Sequence, residues 1–311
     1  MTYIIKVKKK LEKKTRLYAI FCLILACLML LHGQELRDAI FSGMSLAATN
    51  IIPTLFPFMI LSDLWASITN SNSRSVVSKT FERVFKINGA ALTALICGMF
   101  AGFPLGVKSA AALYRAKAIS KQELERLAPM VNLPSPAFVI SGIGIGLFHD
   151  IKYGILLYLS VLLSSLATGL ISKAKCTNSP KSDIISRQNF VLSDSIRDAA
   201  YASLAISAYI VFFSGVIGLL SSFVQNKEIL AIISTLLEIG NSSVMLAKCP
   251  SFSQEVAAIL TAFALGFSGM SVHMQAFAFL PSEISKAKYL LRKFLIGIIS
   301  SLIFALSLHF I

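Results

Sequence analysis

The feature that most limits what this chain can become is the spacing of its charges. Formal charges are absent between Arg16 and Glu35, Asp38 and Asp63, Lys86 and Lys108, Arg126 and Asp150, Lys152 and Lys173, Asp198 and Lys227, and Glu255 and Glu283, and again after Lys293. A helix crosses a bilayer core about 30 Å thick with roughly 20 consecutive apolar residues, so each gap is long enough to enter or span it. A large water-soluble helical core would need charged faces inside those gaps, and the sequence has none. Only 14% of the 311 residues are charged, with a mean hydropathy of +0.75, where soluble domains carry about 25% charge. The expectation is an all-α, polytopic membrane protein without a soluble catalytic domain.

The net charge of +14 is held in short basic clusters between apolar segments rather than along one polar face. That distribution argues for the lipid bilayer as partner and against nucleic acid. A basic stretch from Lys6 to Arg16 precedes the apolar run Leu17 to Leu31, and the following LHGQELRD has no small-x-small cleavage pattern. Residues 1–35 therefore read as a retained signal anchor with a cytoplasmic N-terminus. Asp63, beside Trp65, reads as the end of a helix at an aromatic belt. Cys22, Cys27, Cys97, Cys176 and Cys249 are scattered, and the histidines at 32, 149, 273 and 309 have no metal-binding spacing. With no phosphate loop, nucleophile elbow or Ser/His/Asp pattern, neither catalytic residue, metal nor cofactor is expected.

Basic clusters at Arg74 to Lys86, Lys108 to Arg126, Lys173 to Arg187 and Lys286 to Lys293 tend to stay cytoplasmic. If the first two do, the apolar stretch Ile87 to Val107 between them cannot cross once. It must enter and return, and CGMFAGFPLG, with Gly98, Gly102, Pro104 and Gly106, supplies the helix-breaking residues. Non-helical backbone at membrane depth is tolerated only inside protein or along a watery cavity, so the same string points to a binding site.

Segments 134–148 and 153–172 read as a helical hairpin, and 173–195, containing CTNSPKSD, as a polar linker between a first membrane repeat at 36–172 and a second at 196–311. LRDAIFSGMSLAA from Leu36 resembles IRDAAYASLAISA from Ile196, and FAG at Phe100 to Gly102 resembles FSG at Phe267 to Gly269. Two copies of a helix followed by a Gly-broken element form the pattern of repeat-built secondary transporters, with chance similarity of apolar helices as the competing account.

Candidate ligand-binding residues follow from the polar groups stranded in these segments. Glu238 has nine uncharged residues on either side, between Glu228 and Lys248. A carboxylate there faces a cavity or partner or, in the plainer reading, lies at the water surface; the following Gly240, Asn241, Ser242 and Ser243 can unwind the helix. Lys108 follows the GFPLG break and could meet an anion, or simply snorkel. GFSGMSVHMQ offers Gly269, Ser271, His273 and Gln275, the histidine being either a titrating group or a packed one. Asn132 and Ser135, in NLPSPAFVISGIGIGLF, flank prolines that open a helix start, beside a glycine run suited to close packing.

Taken together, GFPLG with Lys108, YRAKAISKQELERL from Tyr114, PAFVISGIGIGLF, LLEIGNSS and GFSGMSVHMQ resemble the YlbJ-type sporulation integral membrane proteins with paired nucleoside-recognition (Gate) domains, in order from about Leu36 to Ser300. The resemblance implies a concentrative-nucleoside-transporter-like fold of two related helical repeats with broken or re-entrant elements. It also implies transport of a small organic anion, dipicolinate, across the outer forespore membrane during sporulation. It maps Gly102, Pro104, Gly106 and Lys108 onto the family's first element. Asn132, Pro136 and Phe138 map onto its Asn-to-Pro segment, and Glu238, Gly269, Ser271, His273 and Gln275 onto its second half. Leu133, Ser135 and Gly240 depart from the family pattern and bear on the substrate. A nucleoside or other small metabolite is the alternative cargo, and a membrane scaffold for spore envelope assembly the alternative role. A homo-oligomer is compatible with either.

Overall fold

A computed structural model describes residue 16, residues 19–69 apart from 21 and 25, residues 75–171 and residues 191–310. The basic N-terminus, most of the polar linker, and the side chains of Asp63 and Trp65 lie outside the described residues. Helix is the only regular structure among those described. Five stretches are long and apolar enough to cross a membrane: Gly33–Leu61, Ile151–Ile171, Leu192–Ser221, Gln254–Phe279 and Lys286–Ser307. Large apolar side chains stand exposed along them, among them Leu163, Leu204, Phe212, Leu302 and Leu306. Such faces suit hydrocarbon and not water. The chain is an integral, multipass membrane protein.

The first long element is α1 (Gly33–Leu46), which runs through a π-helical turn at Ala47–Ile51 into α2 (Ile52–Thr69). The local widening has a cause in the sequence. Pro53 has no N–H to give to the carbonyl of Thr49, and Pro57 repeats the defect inside α2. Next, α3 (Val76–Phe85) is capped by Ser75, whose hydroxyl accepts from the Ser78 amide at 3.1 Å. It buries Phe81 and Phe85 and leaves Lys79, Glu82 and Arg83 exposed, so the basic cluster before the re-entrant segment forms an amphipathic helix. At its end the chain bends by 104°. Arg126 holds that corner, donating to the carbonyls of Phe85 and Lys86 at 2.6 and 3.1 Å.

The stretch expected to enter and return is broken at Gly102 and folds back as a helical hairpin. Helices α4 (Leu92–Ala101) and α5 (Leu105–Arg115) are each only about 15 Å long at 1.5 Å per residue, half of a bilayer core. They fold back on one another so closely that a Cβ on Gly106 would lie 2.8 Å from the Gly98 Cα. Helix α6 (Lys121–Val131) begins with a reciprocal capping box between Ser120 and Glu123. It stops at Asn132, and after the extended Leu133–Ser135 the chain resumes as α7 (Ala137–Phe148), π-helical through Ile145. Helix α8 (Ile151–Ile171) completes the predicted hairpin with α7, the turn being made at His149 with φ of 56°.

Beyond the linker, α9 (Leu192–Ser221) starts four residues earlier than the boundary set at 196, because Val191 already takes the extended cap conformation. Then come α10 (Lys227–Leu237) and α11 (Ile239–Ala247), parted by Glu238 alone, and α12 (Gln254–Phe267) and α13 (Gly269–Phe279), parted by Ser268. Helix α14 (Lys286–Ser307) follows. One sequence correspondence is corrected by this order. Phe100–Gly102 ends one arm of a hairpin, whereas Phe267–Gly269 interrupts a single membrane-length stretch. The elements that recur at a nearly constant offset are instead the breaks at Gly102 and Glu238, the helix ends at Val131 and Phe267, and the helix starts at Ile151 and Lys286. Short apolar strings match at many registers, so the FAG and FSG likeness was carried by composition rather than by position in the fold.

Candidate functional site

Four interruptions of helix supply the site. Gly102, at the tip of the α4–α5 hairpin, has φ of 79° and ψ of −171°, which only glycine adopts readily. Its missing side chain lets it rest on the Asn132–Ser135 break, where a Cβ would lie 2.7 Å from the Ser135 amide nitrogen. The Ser135 hydroxyl accepts from the Phe138 amide at 3.2 Å and its carbonyl from that of Val139 at 3.1 Å, so this residue starts α7. Pro104, after a cis Phe103–Pro104 bond, starts α5, and Gly106 packs on the Val131 carbonyl.

In the second half, Glu238 takes φ of −150° and ψ of 128° and is both the last cap of α10 and the first of α11. Its carboxylate accepts from the Gly240 amide at 2.9 Å through one oxygen. The other oxygen accepts from the Asn241 amide at 2.6 Å and from Asn241 Nδ2 at 2.9 Å. A carboxyl group at a helix N-terminus satisfies orphan amides and meets the positive end of the dipole, which offsets part of the cost of burying it. Asn241 Nδ2 also donates to Ser214 Oγ on α9 at 2.7 Å, tying the cap to the neighbouring long helix. Gly269, with φ of 63°, packs against the Leu237 carbonyl and the Glu238 amide nitrogen. In each half, then, a positive-φ glycine of one broken element touches the break of another.

These breaks converge. A narrow cleft is lined by Phe103, Ser135 and Phe138 from the first half and by Glu238, Ile239, Ser271, Val272 and Gln275 from the second. Ile51, Leu55, Ile206 and Ile210 of the long helices close its sides. Ser271 and Gln275 lie one turn apart on α13 and present polar atoms without a hydrogen-bond partner, Ser271 Oγ and Gln275 Oε1. The lining therefore offers a carboxylate, two hydroxyls and an amide between two phenylalanines and five β-branched side chains. That mixture of an apolar wall and a few fixed polar groups is typical of small-molecule sites.

Of the residues singled out from sequence, Ser135, Glu238, Ser271 and Gln275 line this cleft. Gly102, Gly106, Pro104 and Gly269 shape its backbone walls, and Asn241 holds Glu238 in place. Three residues depart from expectation. Lys108 is exposed, a turn past Pro104, and takes no part in the lining. The lysine that follows a break in sequence has been carried away from it by the helix. His273 is buried, but on the face of α13 opposite Ser271 and Gln275, its ring set edge-on to Phe267 at 4.7 Å and to Tyr289 at 5.6 Å. Asn132 is buried behind the break, where its Nδ2 donates to the Tyr289 hydroxyl at 2.6 Å.

Sequence reading missed Phe103 and the isoleucines of the walls, because an apolar lining residue is indistinguishable in sequence from core. It also missed Tyr289 and Lys293, which were submerged in a basic cluster. Helix phase was the available signal: Tyr289, Lys293, Ile296, Gly297, Ser300 and Phe304 form one buried stripe on α14, while Lys286 and Lys288 point out.

On the outer side of the hairpin, Tyr114 donates to Glu283 Oε1 at 3.0 Å, and Glu125 Oε1 accepts from the Ser285 amide at 3.4 Å. The Glu283 carboxyl is held below the usual carboxylate range by its own backbone amide and by Tyr114. These contacts join the α5–α6 end to the α13–α14 loop.

The fold and cleft define a multipass helical membrane protein with a cleft, apolar apart from a few buried polar groups, assembled from broken helices. The chain is similar to "Sporulation integral membrane protein YlbJ" of Bacillus subtilis (strain 168), with 28% identity over 84% of this chain and 74% of that protein. This likeness supports the YlbJ-type assignment that the motifs gave. No family model and no solved structure matches the chain.

Proposed function

We propose that the protein is a membrane carrier acting in sporulation, which binds a small organic metabolite in the cleft where the four breaks meet. The observation that carries this reading is the convergence itself. Ser135 from one half and Glu238, Ser271 and Gln275 from the other share one cleft, and discontinuous helices around such a site are the construction of secondary carriers. Recurrence of the breaks at a constant offset supports two related repeats of concentrative-nucleoside-transporter-like kind. The sporulation context comes from the relative's name.

Dipicolinate, favoured by resemblance, brings a flat ring for the Phe103 and Phe138 side of the lining and acceptors for the Ser135 and Ser271 hydroxyls. A second cargo is favoured by a specific feature. The lining contains Glu238 and no lysine or arginine among the described residues, which suits a neutral, hydrogen-bonding metabolite such as a nucleoside better than a dianion. Uptake of labelled dipicolinate into proteoliposomes, competed with unlabelled dipicolinate or uridine, separates the two. Saturable dipicolinate uptake that uridine leaves unchanged supports the anion. Uptake of uridine alone assigns the neutral cargo, and no saturable uptake of either overturns the carrier reading in favour of a scaffold.

A further inference from the structure

The cleft leaves one buried charge unexplained. Lys293 is wholly buried on the membrane-length helix α14. Its ammonium donates to the main-chain carbonyl of Asn132 at 2.9 Å, and no carboxylate among the described residues lies within ion-pair distance of it. A cation in such a place is costly unless the surroundings supply oxygen or nitrogen ligands. They do. Asn132 caps the C-terminal end of α6, where the last carbonyls of a helix have no intrahelical donor and the dipole is negative. Around the same point are the side chains of Asn132, Tyr289 and His273, linked by the Asn132–Tyr289 hydrogen bond and the Tyr289–His273 ring contact. Asn132 Oδ1 and both His273 ring nitrogens are buried without a hydrogen-bond partner.

Carriers built from discontinuous helices use unwound carbonyls and half-helix C-terminal ends to hold a small cation such as sodium. Here that position meets an ammonium delivered by another helix. From this geometry we infer that Lys293 is a tethered cation that occupies the ion position at the α6 break, so that the protein needs no free sodium ion there. The remaining charged side chains near α14 are directed elsewhere. Arg292 donates to the Glu125 carbonyl, and Lys288 pairs with Glu125 at 3.6 Å near the exposed end of the helix. Lys293 thus fixes the position of the Asn132–Ser135 break from behind while Ser135 faces the cleft. Such a position makes it a positioning residue rather than a ligand contact.

The test is independent of any cargo. The detergent-purified full chain is heated in sodium chloride and in choline chloride of equal ionic strength, and the midpoint of unfolding is read by size-exclusion chromatography. The wild-type midpoint is expected to be the same in both salts. In Lys293→Ala the space left at the Asn132 carbonyl admits a small cation, and sodium or methylammonium is expected to raise the midpoint over choline by about 5 °C. Lys293→Met fills that space with an apolar chain and should show no such difference. A saturable sodium-dependent rise in the wild type, which needs no variant to observe, overturns the inference. So does a Lys293→Ala protein no more responsive to cations than Lys293→Met. Failure of dipicolinate or uridine uptake bears on the carrier reading and leaves this result untouched.

Discussion

Replacing Gly102 with alanine tests the construction of the cleft at its narrowest point. The backbone there lies in a region open almost solely to glycine, and forcing another residue into it costs about 1–3 kcal/mol. The new methyl would also meet the Ser135 amide nitrogen at 2.7 Å, its Cβ at 3.0 Å and its Cα at 3.1 Å. Those atoms belong to a main chain that must itself move, and overpacking of that kind adds about 1–3 kcal/mol. The sum is roughly 2–6 kcal/mol against a total stability of about 5–15 kcal/mol. At about 2 °C per kcal/mol for a chain of this size, the unfolding midpoint should fall by roughly 4–12 °C. Because Ser135 lines the cleft, binding of labelled dipicolinate or uridine should weaken as well. Gly142→Ala is the internal control, since its Cβ would meet only Phe138 Cδ2 at an ordinary 3.7 Å. It should leave the stability within about 1 kcal/mol of wild type, or raise it, as helix interiors prefer alanine. Equal stability and binding for Gly102→Ala and wild type, or an equal loss in Gly142→Ala, would refute the argument that these two breaks are in contact.

Other perturbations separate the groups around the cleft. Asn241→Ala removes a charge-assisted hydrogen bond to Glu238 and the link to Ser214, and should lower stability by about 1.5–3 kcal/mol, read by the same thermal assay. Ser271→Ala deletes a hydroxyl with no partner in the protein. Its stability should stay within about 0.5 kcal/mol of wild type, while ligand affinity falls about three- to tenfold, a hydrogen bond's worth. Lys108→Ala, on an exposed side chain outside the lining, should leave both quantities unchanged. Glu283 has a depressed folded-state pKa. Its interaction with Tyr114 is therefore present at neutral pH and lost as the pH falls through that value. The wild-type advantage over Glu283→Gln should be seen at pH 7 and be lost only as the pH falls below the ordinary carboxylate range in paired unfolding measurements.

Much of the architecture was legible because membranes impose a coarse rule that charges obey. The gaps between charges located the long helices, and the two basic clusters around CGMFAGFPLG pointed to a fold-back of the kind that α4 and α5 make. Glu238 could be found because a carboxylate in the middle of an apolar run is rare and needs a reason. Lys293 could not be found in the same way. It lies at the edge of its apolar run, where a lysine is ordinary, and only the rotation of α14 turns it inward beside Tyr289. Lys108, read as either an anion contact or a snorkelling lysine, lies exposed outside the lining, since closeness to a break along the chain says nothing about which side of the next helix turn a residue occupies. The FAG and FSG strings misled because three small or aromatic residues recur freely in lipid-facing segments.

The double duty of Glu238 sets a limit on its chemistry. A carboxylate offers about four lone-pair sites, and three are already given to the amides of Gly240 and Asn241 and to the Asn241 side chain. A ligand entering the cleft can thus donate at most a single hydrogen bond to Glu238 without disturbing anything. One that brings two donors must displace an amide and unwind the first turn of α11. Counting donors on a cargo therefore foretells whether it docks on a rigid wall or loosens the joint between α10 and α11 as it binds.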